Sequence, residues 1–283
     1  MPDSEPDPEP SFEIVTLRGG TRAVREVASG EVMHPSVGPW REANLLYVAQ
    51  SRLADALAHH GPPLCLYDVG LGAAANLVAA LECATRLGGE RRRDLLVVSF
   101  EQDLAPLRLA LGDEAGFPFL APWRAALEEL VERHRFEAPG IALRLLLGDA
   151  RVRYADAPWP ADVVFFDPFS PASSPALWTP PALASLRARC RDGTGATLFT
   201  YSAATPTRVA LLLAGFFVGV GEPIGTKVET TAAATRREAL VRPLDGRWLE
   251  RWRRSTARAP HGGWQDEESA LAGILERHPQ FQE

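Results

Sequence analysis

Cysteine is scarce in this chain, which has three among its 283 residues, at Cys65, Cys83 and Cys190. They lie far apart in apolar stretches, so the sequence predicts neither a disulfide framework nor a CxxC metal site, and we expect buried, reduced thiols. The six histidines form no HExxH or similar pair of metal ligands. The sequence therefore predicts no metal centre.

Long hydrophobic runs are also missing. None approaches the roughly 18 to 20 apolar residues that a membrane-spanning helix needs. The acidic, proline-rich residues 1–6 lack the basic and apolar regions of a signal peptide. These absences favour a cytoplasmic protein.

Basic residues are outnumbered, with 30 lysines and arginines against 36 acidic residues and a formal net charge of −6. Nucleic-acid binding normally draws on a basic surface, so the total charge does not favour such a partner. Four of the acids, however, lie within residues 1–11, which are predicted to form a disordered acidic tail. A basic patch on the folded remainder is compatible with the total.

The composition, 46% hydrophobic and 23% charged, is that of an ordinary globular protein. We expect an N-terminal hairpin and helix over 12–60, a main domain over 61–242 and a C-terminal extension over 243–283. In the main domain short apolar runs alternate with helical patterns, which predicts an α/β fold with a mostly parallel, seven-stranded sheet. The predicted strands are 64–69, 94–100, 141–147, 163–166, 196–201, 216–220 and 237–241. The predicted helices are 73–87, 104–111, 121–135, 180–191 and 206–214, with a further helix ahead of the domain to about residue 60.

A glycine-rich turn follows the first predicted strand of the main domain, within Asp68–Asn76 (DVGLGAAAN). Gly70 and Gly72 have no Cβ, so the backbone can turn tightly there and approach a ligand closely. Asp68 ends that strand, and Glu101 and Asp149 follow the next two; the carboxyl ends of parallel strands meet at one crevice. Glu101 is placed to accept hydrogen bonds from ribose hydroxyls, and Asp149 to face an adenine amino group.

Two kinds of cofactor suit such a crevice. An NAD site requires the full G-x-G-x-x-G motif and binds phosphates at a helix N-terminus, whereas this turn reads G-L-G-A-A-A. S-adenosylmethionine has a sulfonium and an amino-acid end in place of phosphates, so acidic surroundings suit it better, and we expect it as the cofactor. In the alternative without a ligand, the glycines only form a turn and the carboxylates only cap helices.

The fourth predicted strand ends in an Asp167-Pro-Phe-Ser-Pro loop at the same sheet edge. The loop resembles the Asp/Asn-Pro-Pro-aromatic motif of amino-group methyltransferases. Methyl transfer from a sulfonium is an in-line displacement and requires a neutral, aimed amine. Asp167 could orient that amine and take its proton, while Phe169 and Trp178 could wall the pocket or stack on a base. Tyr201 is a weaker candidate for the same crevice, and the alternative role of Asp167 is to cap the following turn.

Together these motifs resemble the methyltransferase family of tRNA 5-methylaminomethyl-2-thiouridine biosynthesis, over most of residues 30–242. The matching segments are Gly70 to Asn76, Ser99 to Glu101, Gly148-Asp149, Asp167 to Pro171, Pro175 to Thr179, and Thr200 to Ala204 with Arg208. The resemblance implies a class I S-adenosylmethionine-dependent methyltransferase with a Rossmann-like sheet, whose last two strands form a hairpin, and with a helical C-terminal tail. It also implies the stand-alone kind, because the chain is too short to contain the oxidoreductase half of the fused members.

The resemblance further implies roles for individual residues. Asp167 sits by the reacting amine, and Lys227 belongs to a glycine- and lysine-containing element before the last strand. The implied cofactor residues are Asp68, Gly70, Leu71, Gly72, Asn76, Glu101, Gln102, Asp149 and Ala150. The implied substrate residues are Pro168, Phe169, Trp178, Tyr201 and Lys227. The implied acceptor is the 5-aminomethyl group of the tRNA wobble uridine, an intermediate that a separate enzyme would supply.

The chain departs from that family at Ala74, where a third glycine is usual, and in its acidic net charge. Three hypotheses therefore stand. The leading one is an N-methyltransferase of tRNA wobble uridine. The second keeps the enzyme but makes its substrate a small-molecule amine, which the acidic charge favours. The third is a non-catalytic binding module, because Ala74 lies in the cofactor turn.

The C-terminal extension combines tryptophans with arginines: Trp248, Trp252 and Trp264 among Arg247, Arg251, Arg253, Arg254 and Arg258. One interpretation is an amphipathic helix that packs its tryptophans on the domain. The other is a basic, aromatic surface for an RNA backbone.

Overall fold

The computed structural model describes residues 11–34, 37–88, 92–265 and 268–282. The predicted acidic tail, residues 1–11, lies outside these ranges except for Ser11. Within them the chain forms a two-stranded N-terminal hairpin and an eight-stranded sheet with helices. None of the helices in these ranges is long and apolar enough to cross a membrane.

The fold is α/β, as predicted, with eight strands in the main sheet rather than seven. The strands are β1 (Phe12–Thr16), β2 (Arg22–Glu26), β3 (Leu64–Val69), β4 (Leu95–Glu101), β5 (Arg135–Ala138), β6 (Ile141–Leu147), β7 (Val163–Phe166), β8 (Thr197–Thr200), β9 (Phe217–Gly221) and β10 (Thr230–Ala234). The helices are α1 (Pro39–Glu42), α2 (Leu53–Ala58), α3 (Ala75–Arg86), α4 (Ala105–Gly112), α5 (Arg124–Arg133), α6 (Ala150–Arg153), α7 (Pro180–Arg187), α8 (Thr205–Leu213), α9 (Gly246–Arg253) and α10 (Glu268–Glu276).

The main sheet runs in the order β5-β6-β4-β3-β7-β8-β10-β9, with its middle five strands, β6 to β8, all parallel. The central strand β3 is buried along its whole length. Leu64 and Leu66 belong to one apolar cluster, and Cys65 and Tyr67 to another, because successive side chains of a strand point to opposite faces. The sheet therefore has an apolar core on each face, which explains why its strands read as continuous apolar runs.

One edge of the sheet differs from the prediction. The strand predicted at 237–241 is wrong, because Arg237–Ala239 is an exposed turn of 3-10 helix. The last strand of the sheet is instead β10, which lies between β8 and β9 and is antiparallel to both. Its alanines have little β propensity, so the segment does not read as a strand, although β9 and β10 do form the expected hairpin.

The other edge carries the strand that the pattern does not predict. The helix expected to reach residue 135 ends at Arg133, and His134 adopts a left-handed conformation with φ 57°. The chain then returns as β5, antiparallel to β6. This edge strand has no buried residue and alternates charged with apolar residues, so it lacks the apolar run by which the other strands are recognised.

The helix expected before the main domain is interrupted. α1 continues into a π-helix over Ala43–Ala49, and the chain breaks at Arg52, which has φ 50°, before α2 begins. The π-helix packs on the sheet, with the fully buried Tyr47 ring 5.2 Å from the ring of Phe165 in β7. The π-helix therefore packs the segment before the main domain against one face of the sheet.

The C-terminal extension packs on the face of the sheet opposite to the face that α3 covers. Trp248 and Trp252 of α9 are buried, which confirms the packing interpretation for these two tryptophans. Gln280 anchors the end of the chain: its amide donates to the carbonyls of Val218 and Leu244 at 2.7 and 2.8 Å and accepts from Val218 N at 2.6 Å.

Candidate active site

A cleft of about 970 Å³ lies where β3, β4, β6 and β7 end, which is the usual ligand position in an open parallel sheet. Its opposite wall comes from the N-terminal residues between Ser11 and His34. Of the residues singled out from the sequence, those that line the cleft are Gly70, Gly72, Glu101, Gln102, Asp149, Ala150, Asp167, Pro168, Phe169, Tyr201 and Lys227. The others, Asp68, Leu71, Asn76 and Trp178, lie behind its wall.

The turn after β3 depends on its two glycines. Gly70 has φ +90°, and a Cβ there would lie 2.6 Å from the carbonyl oxygen of Asp167, so only glycine allows the turn and the Asp167 loop to meet. Gly72 has φ +51°, and a Cβ there would come within 3.1 Å of Met33 Sδ. Both positions leave bare backbone at the cleft.

Glu101 is held rigidly at the end of β4. Its Oε2 accepts a hydrogen bond from Gly72 N at 2.8 Å, and its Oε1 accepts from the backbone N–H groups of Gln102 and Asp103 at 2.7 and 3.2 Å. Burial raises the pKa of this carboxyl, and the three backbone donors partly oppose the shift. The Glu101 side chain thus links the glycine turn to the end of β4 in one fixed geometry.

Asp149 is a half-exposed carboxylate of the cleft and the N-cap of α6, accepting from Arg151 N at 2.9 Å. The Arg151 guanidinium contacts both carboxylate oxygens, at distances down to 2.5 Å, and lowers the pKa of Asp149. Ala150 lies beside it in the cleft wall. This end of the cleft therefore offers an ionised acceptor whose partner, Arg151, is solvent-exposed.

Asp68 lies beneath the glycine turn and is fully buried. Its Oδ2 accepts from Ser99 Oγ at 3.0 Å, whereas its Oδ1 has no hydrogen-bond partner among the described residues. Burial raises its pKa to about 8, against the opposing effect of the Ser99 hydrogen bond. The Asn76 side chain, at the start of α3, likewise has a buried Oδ1 that no described group satisfies.

Asp167 follows β7 and is a largely buried carboxylate beside the glycine turn, with 9% of its side chain exposed. Its Oδ2 accepts from Asn76 Nδ2 at 2.7 Å, and its N–H donates to Val69 O at 2.9 Å. Burial raises its pKa to about 6, while the charge of His34 acts in the opposite direction. The side chain is thus fixed on one oxygen and borders the cleft.

His34 is a site residue that the sequence did not indicate. Its Nε2 lies 3.7 Å from Asp167 Oδ2 and its Nδ1 lies 3.7 Å from Glu42 Oε1, so the ring bridges two carboxylates. Burial alone would lower the pKa of His34, but Asp167 and Glu42 outweigh it and raise the pKa to about 9. A single histidine in a segment of no clear periodicity carries no motif, and only the folded path of the chain places it here.

Glu31 is a second residue that the sequence did not indicate. Its carboxylate accepts from Ser170 N at 2.8 Å and Ser170 Oγ at 2.7 Å, 139 residues away in the chain, and also from Ser173 Oγ. These contacts fix the loop that follows Asp167 to the N-terminal wall of the cleft. They also give a physical role to the serine of the Asp-Pro-Phe-Ser-Pro sequence.

The aromatic residues near Asp167 divide between the cleft and its support. Trp178 was expected in the pocket wall, but it is fully buried; its Nε1 donates to Phe169 O at 2.8 Å and its ring packs edge-on to Tyr201. Phe169 and Tyr201 themselves line the cleft. Lys227 Nζ lies 4.2 Å from the Tyr201 ring centroid, and burial lowers its pKa. This end of the cleft therefore combines aromatic faces with an amine.

The apolar residues of the glycine turn point away from the cleft. Leu71 and Ala74 are both buried in the core cluster on one face of the sheet. Ala74 has φ 61° and ψ 21°, which is the left-handed region. A non-glycine residue in this region makes the folded state less stable. Its methyl group does not fill the cleft.

A family model described as S-adenosyl-L-methionine-dependent methyltransferase matches residues 118–236. The tRNA 5-methylaminomethyl-2-thiouridine biosynthesis bifunctional protein MnmC of Pseudomonas aeruginosa is 33% identical over 200 residues, covering 67% of this chain and 30% of that protein. The protein of the same name from Ralstonia nicotianae is 35% identical over 200 residues, covering 66% of this chain and 29% of its own length. The chain thus spans about 30% of the length of these relatives.

Among solved structures, MNMC2 from Aquifex aeolicus matches with a TM-score of 0.71 and 28% identity, covering 95% of this chain and 86% of that one. The similarity therefore extends over nearly the whole chain, including the N-terminal wall of the cleft and the C-terminal extension.

The geometry fits the cofactor of that family. Gly70 and Gly72 leave room for a ligand against the backbone, and Glu101 and Asp149 supply acceptors at the ends of the next two parallel strands. The unsatisfied Oδ1 of Asp68 adds to an acidic site that suits a sulfonium and an ammonium group. This chain belongs to the methyltransferase family of tRNA 5-methylaminomethyl-2-thiouridine biosynthesis, whose methyl donor is S-adenosyl-L-methionine.

Proposed function

We propose that this chain methylates the amino nitrogen of the 5-aminomethyl group on the wobble uridine of tRNA. The observation that carries the proposal is the position of Asp167, a buried carboxylate that borders the cleft next to the glycine turn. The names of the relatives support the choice of substrate. Another enzyme would have to supply the aminomethyl group before this reaction.

Bound S-adenosylmethionine supplies an electrophilic methyl group on sulfur. Glu101 would hold the ribose, Asp149 and Ala150 would face the adenine, and Gln102 lies beside them in the cleft wall. The backbone at Gly70, Leu71 and Gly72, together with Asn76 and Asp68, would enclose the methionine part. These assignments follow the order in which the strands end along the edge of the sheet.

Asp167 would bind and orient the acceptor amine. Asn76 donates to its Oδ2, and because the carboxylate also lines the cleft, a remaining lone pair would accept a hydrogen bond from the amine. The amine must be neutral to use its lone pair, so an ammonium substrate must first give up a proton. Asp167, whose pKa burial raises to about 6, can take that proton near neutral pH.

The walls around Asp167 would position the base. Phe169 and Tyr201 offer aromatic faces, and the hydrogen bond of Tyr201 Oη to Pro168 O, at 3.2 Å, fixes the loop between them. Lys227, held over the Tyr201 ring, would meet an anionic or carbonyl group of the substrate. Trp178 would act through Phe169, whose carbonyl it holds from behind.

The test uses labelled S-adenosylmethionine and tRNA that carries the 5-aminomethyl group. Label should enter the wobble uridine of this tRNA and not of tRNA that is already methylated there. Small amines serve as the comparison, since the acidic total charge favours them as alternative acceptors. If calorimetry shows donor binding but the hypomodified tRNA takes up no label, the tRNA acceptor is wrong.

A further inference from the structure

Helix α9 has two unlike faces. Trp248, Leu249 and Trp252 are buried. The Trp248 ring stacks 6.2 Å from that of Phe281, and Trp252 Nε1 donates to Arg258 O at 3.0 Å. The tryptophans are thus part of the core, and they are unavailable either to stack on bases or to insert into a membrane.

The outer face of α9 carries three arginines and one glutamate, Glu250, so its net charge is positive. Arg247, Arg251 and Arg254 follow the i, i+4, i+7 spacing, which places them on one side of the helix, and all three are exposed. Arg253, which lies off this face, pairs with Glu276 at 2.7 Å. No carboxylate in the described part of the chain forms an ion pair with the other three.

This face stands out against the charge of the whole molecule. Residues 236–258 contain eight arginines against three acidic residues, whereas the complete chain has 30 basic and 36 acidic residues. A concentration of positive charge on an acidic protein indicates a polyanionic partner.

The basic face is also connected to the cleft. Arg251 is close enough to Arg208 for its charge to contribute to lowering the pKa of Arg208, after the larger effect of burial. Arg208 Nη1 lies 3.1 Å from Glu229 Oε1, and Lys227, two residues earlier, lines the cleft. The Arg208–Glu229 ion pair thus joins Arg208 to the segment that carries Lys227, and Arg208 lies within the electrostatic reach of Arg251.

We propose that Arg247, Arg251 and Arg254 form a docking surface for the phosphate backbone of the RNA whose wobble uridine enters the cleft. The inference rests on the proposed function. Over seven residues the helix rises about 10 Å, which is the axial length of about three nucleotides of one strand. Guanidinium groups bind phosphates in a bidentate manner and read no sequence, so this surface positions the RNA while the cleft selects the base.

The test compares two triple variants of equal charge change. R247Q/R251Q/R254Q removes the docking surface. R52Q/R86Q/R133Q is the control. It removes three exposed arginines that lie away from α9, each paired with an acidic side chain three or four residues away in the sequence. The affinity of each protein for tRNA is measured from about 50 to 200 mM salt, together with S-adenosylmethionine affinity as the check on folding. Methyl transfer to the free 5-aminomethyl-2-thiouridine nucleoside and binding to phosphatidylserine vesicles complete the set.

We expect the α9 variant to bind tRNA at least about tenfold more weakly than the control, with a slope of log affinity against log salt smaller by about 2 to 3. Transfer to the free nucleoside should be equal in both variants. Equal tRNA affinity of the two variants, or loss in the α9 variant of vesicle binding alone, overturns the docking surface. If the wild-type protein shows the salt slope, and the α9 variant loses it, while neither tRNA nor nucleoside is methylated, the docking surface stands and the proposed reaction falls.

Discussion

Asp167 and Glu101 border the same cleft, yet their contacts suit different tasks. Asp167 has one oxygen bound to Asn76, whereas both oxygens of Glu101 accept from the backbone beside the glycine turn. Asp167→Ala should lower kcat by about 10² to 10⁴ with little change in donor affinity, because in the proposed reaction this carboxylate orients and deprotonates the amine. Glu101→Ala should instead weaken the donor Kd by about 10- to 100-fold, with kcat at saturating donor nearly unchanged. Donor calorimetry and single-turnover kinetics on both variants measure the contrast, and similar effects from the two would refute the division of roles.

His34 lowers the pKa of Asp167 against the larger effect of burial. Its imidazolium lies between Asp167 and Glu42 and opposes the rise in the pKa of Asp167, as do the side chains of Tyr47 and Asn76. In His34→Gln that pKa should move above 6, so the acid limb of kcat/KM should shift to higher pH, with kcat at neutral pH falling about tenfold. His34→Lys, which retains a cation, should restore part of the limb. A pH profile that stays in place in His34→Gln would show that the ring only fills space.

The site could be predicted from the sequence only where position along a strand decides proximity. Asp68 and Glu101 lie at the ends of parallel strands and Asp149 and Asp167 just after them, and such strand ends share one edge whatever the loops do. His34 and Glu31 reach the cleft only because the N-terminal segment folds back across it, which no spacing encodes. Strand position also says nothing of side-chain depth, which is why Trp178 was placed on the wall and lies behind it.

At the scale of elements, the turn from β3 into α3 decides whether Ala74 disables the donor site. Ala74 is buried in the core, with φ 61°. Ala74→Gly should relieve the left-handed backbone but lose a buried methyl group, so stability should change by less than about 1 kcal/mol. Donor affinity should stay within about twofold, because the methyl group does not face the cleft.

Gly72→Ala is the matched comparison, since its φ is +51° and its new Cβ would lie 3.1 Å from Met33 Sδ in the cleft. We expect it to weaken donor binding at least about tenfold by straining and filling the turn. Calorimetry with S-adenosylmethionine measures both variants. A tenfold gain in affinity for Ala74→Gly would mean that the alanine does crowd the donor, in support of the non-catalytic hypothesis.

The helices and strands could be predicted from the sequence where they are buried, and were missed where they are exposed or lack an apolar run. The bounds of β3, β6 and β7 agree with prediction, because each is an apolar run bounded by polar or turn residues. β10 was missed because threonines and alanines become a strand only between two neighbours that supply the packing. β5 was missed because an edge strand needs no apolar run, and its first residue completes a helical pattern.

At the scale of the whole molecule, the carboxyl groups of the acidic cleft are unfavourable to ionise in the absence of a cationic ligand. Burial raises the pKa of Asp68 from 3.8 to about 8 and that of Asp167 to about 6. His34, facing Asp167, Glu42 and Asp68, has a pKa raised to about 9. Each of the three groups therefore binds its proton more tightly in the folded state than in the unfolded one.

The sign of the effect on stability follows directly. A group whose folded pKa is raised stabilises the protein fully below its unfolded pKa, and this stabilisation is lost as the pH rises through the folded pKa. The urea concentration at the unfolding midpoint of the ligand-free protein should therefore decrease as the pH is raised from 6 to 9. Asp68→Asn, which keeps a partner for Ser99 without a titrating proton, should remove a large part of that fall, whereas Asp55→Asn on the exposed surface should not. Saturating S-adenosylmethionine should also flatten the profile, because a sulfonium and an ammonium group favour the ionised carboxylates. A midpoint that rises with pH over this range in the ligand-free protein would mean that Asp68 is ionised when folded, and that the acidic cleft is already neutralised by its own residues.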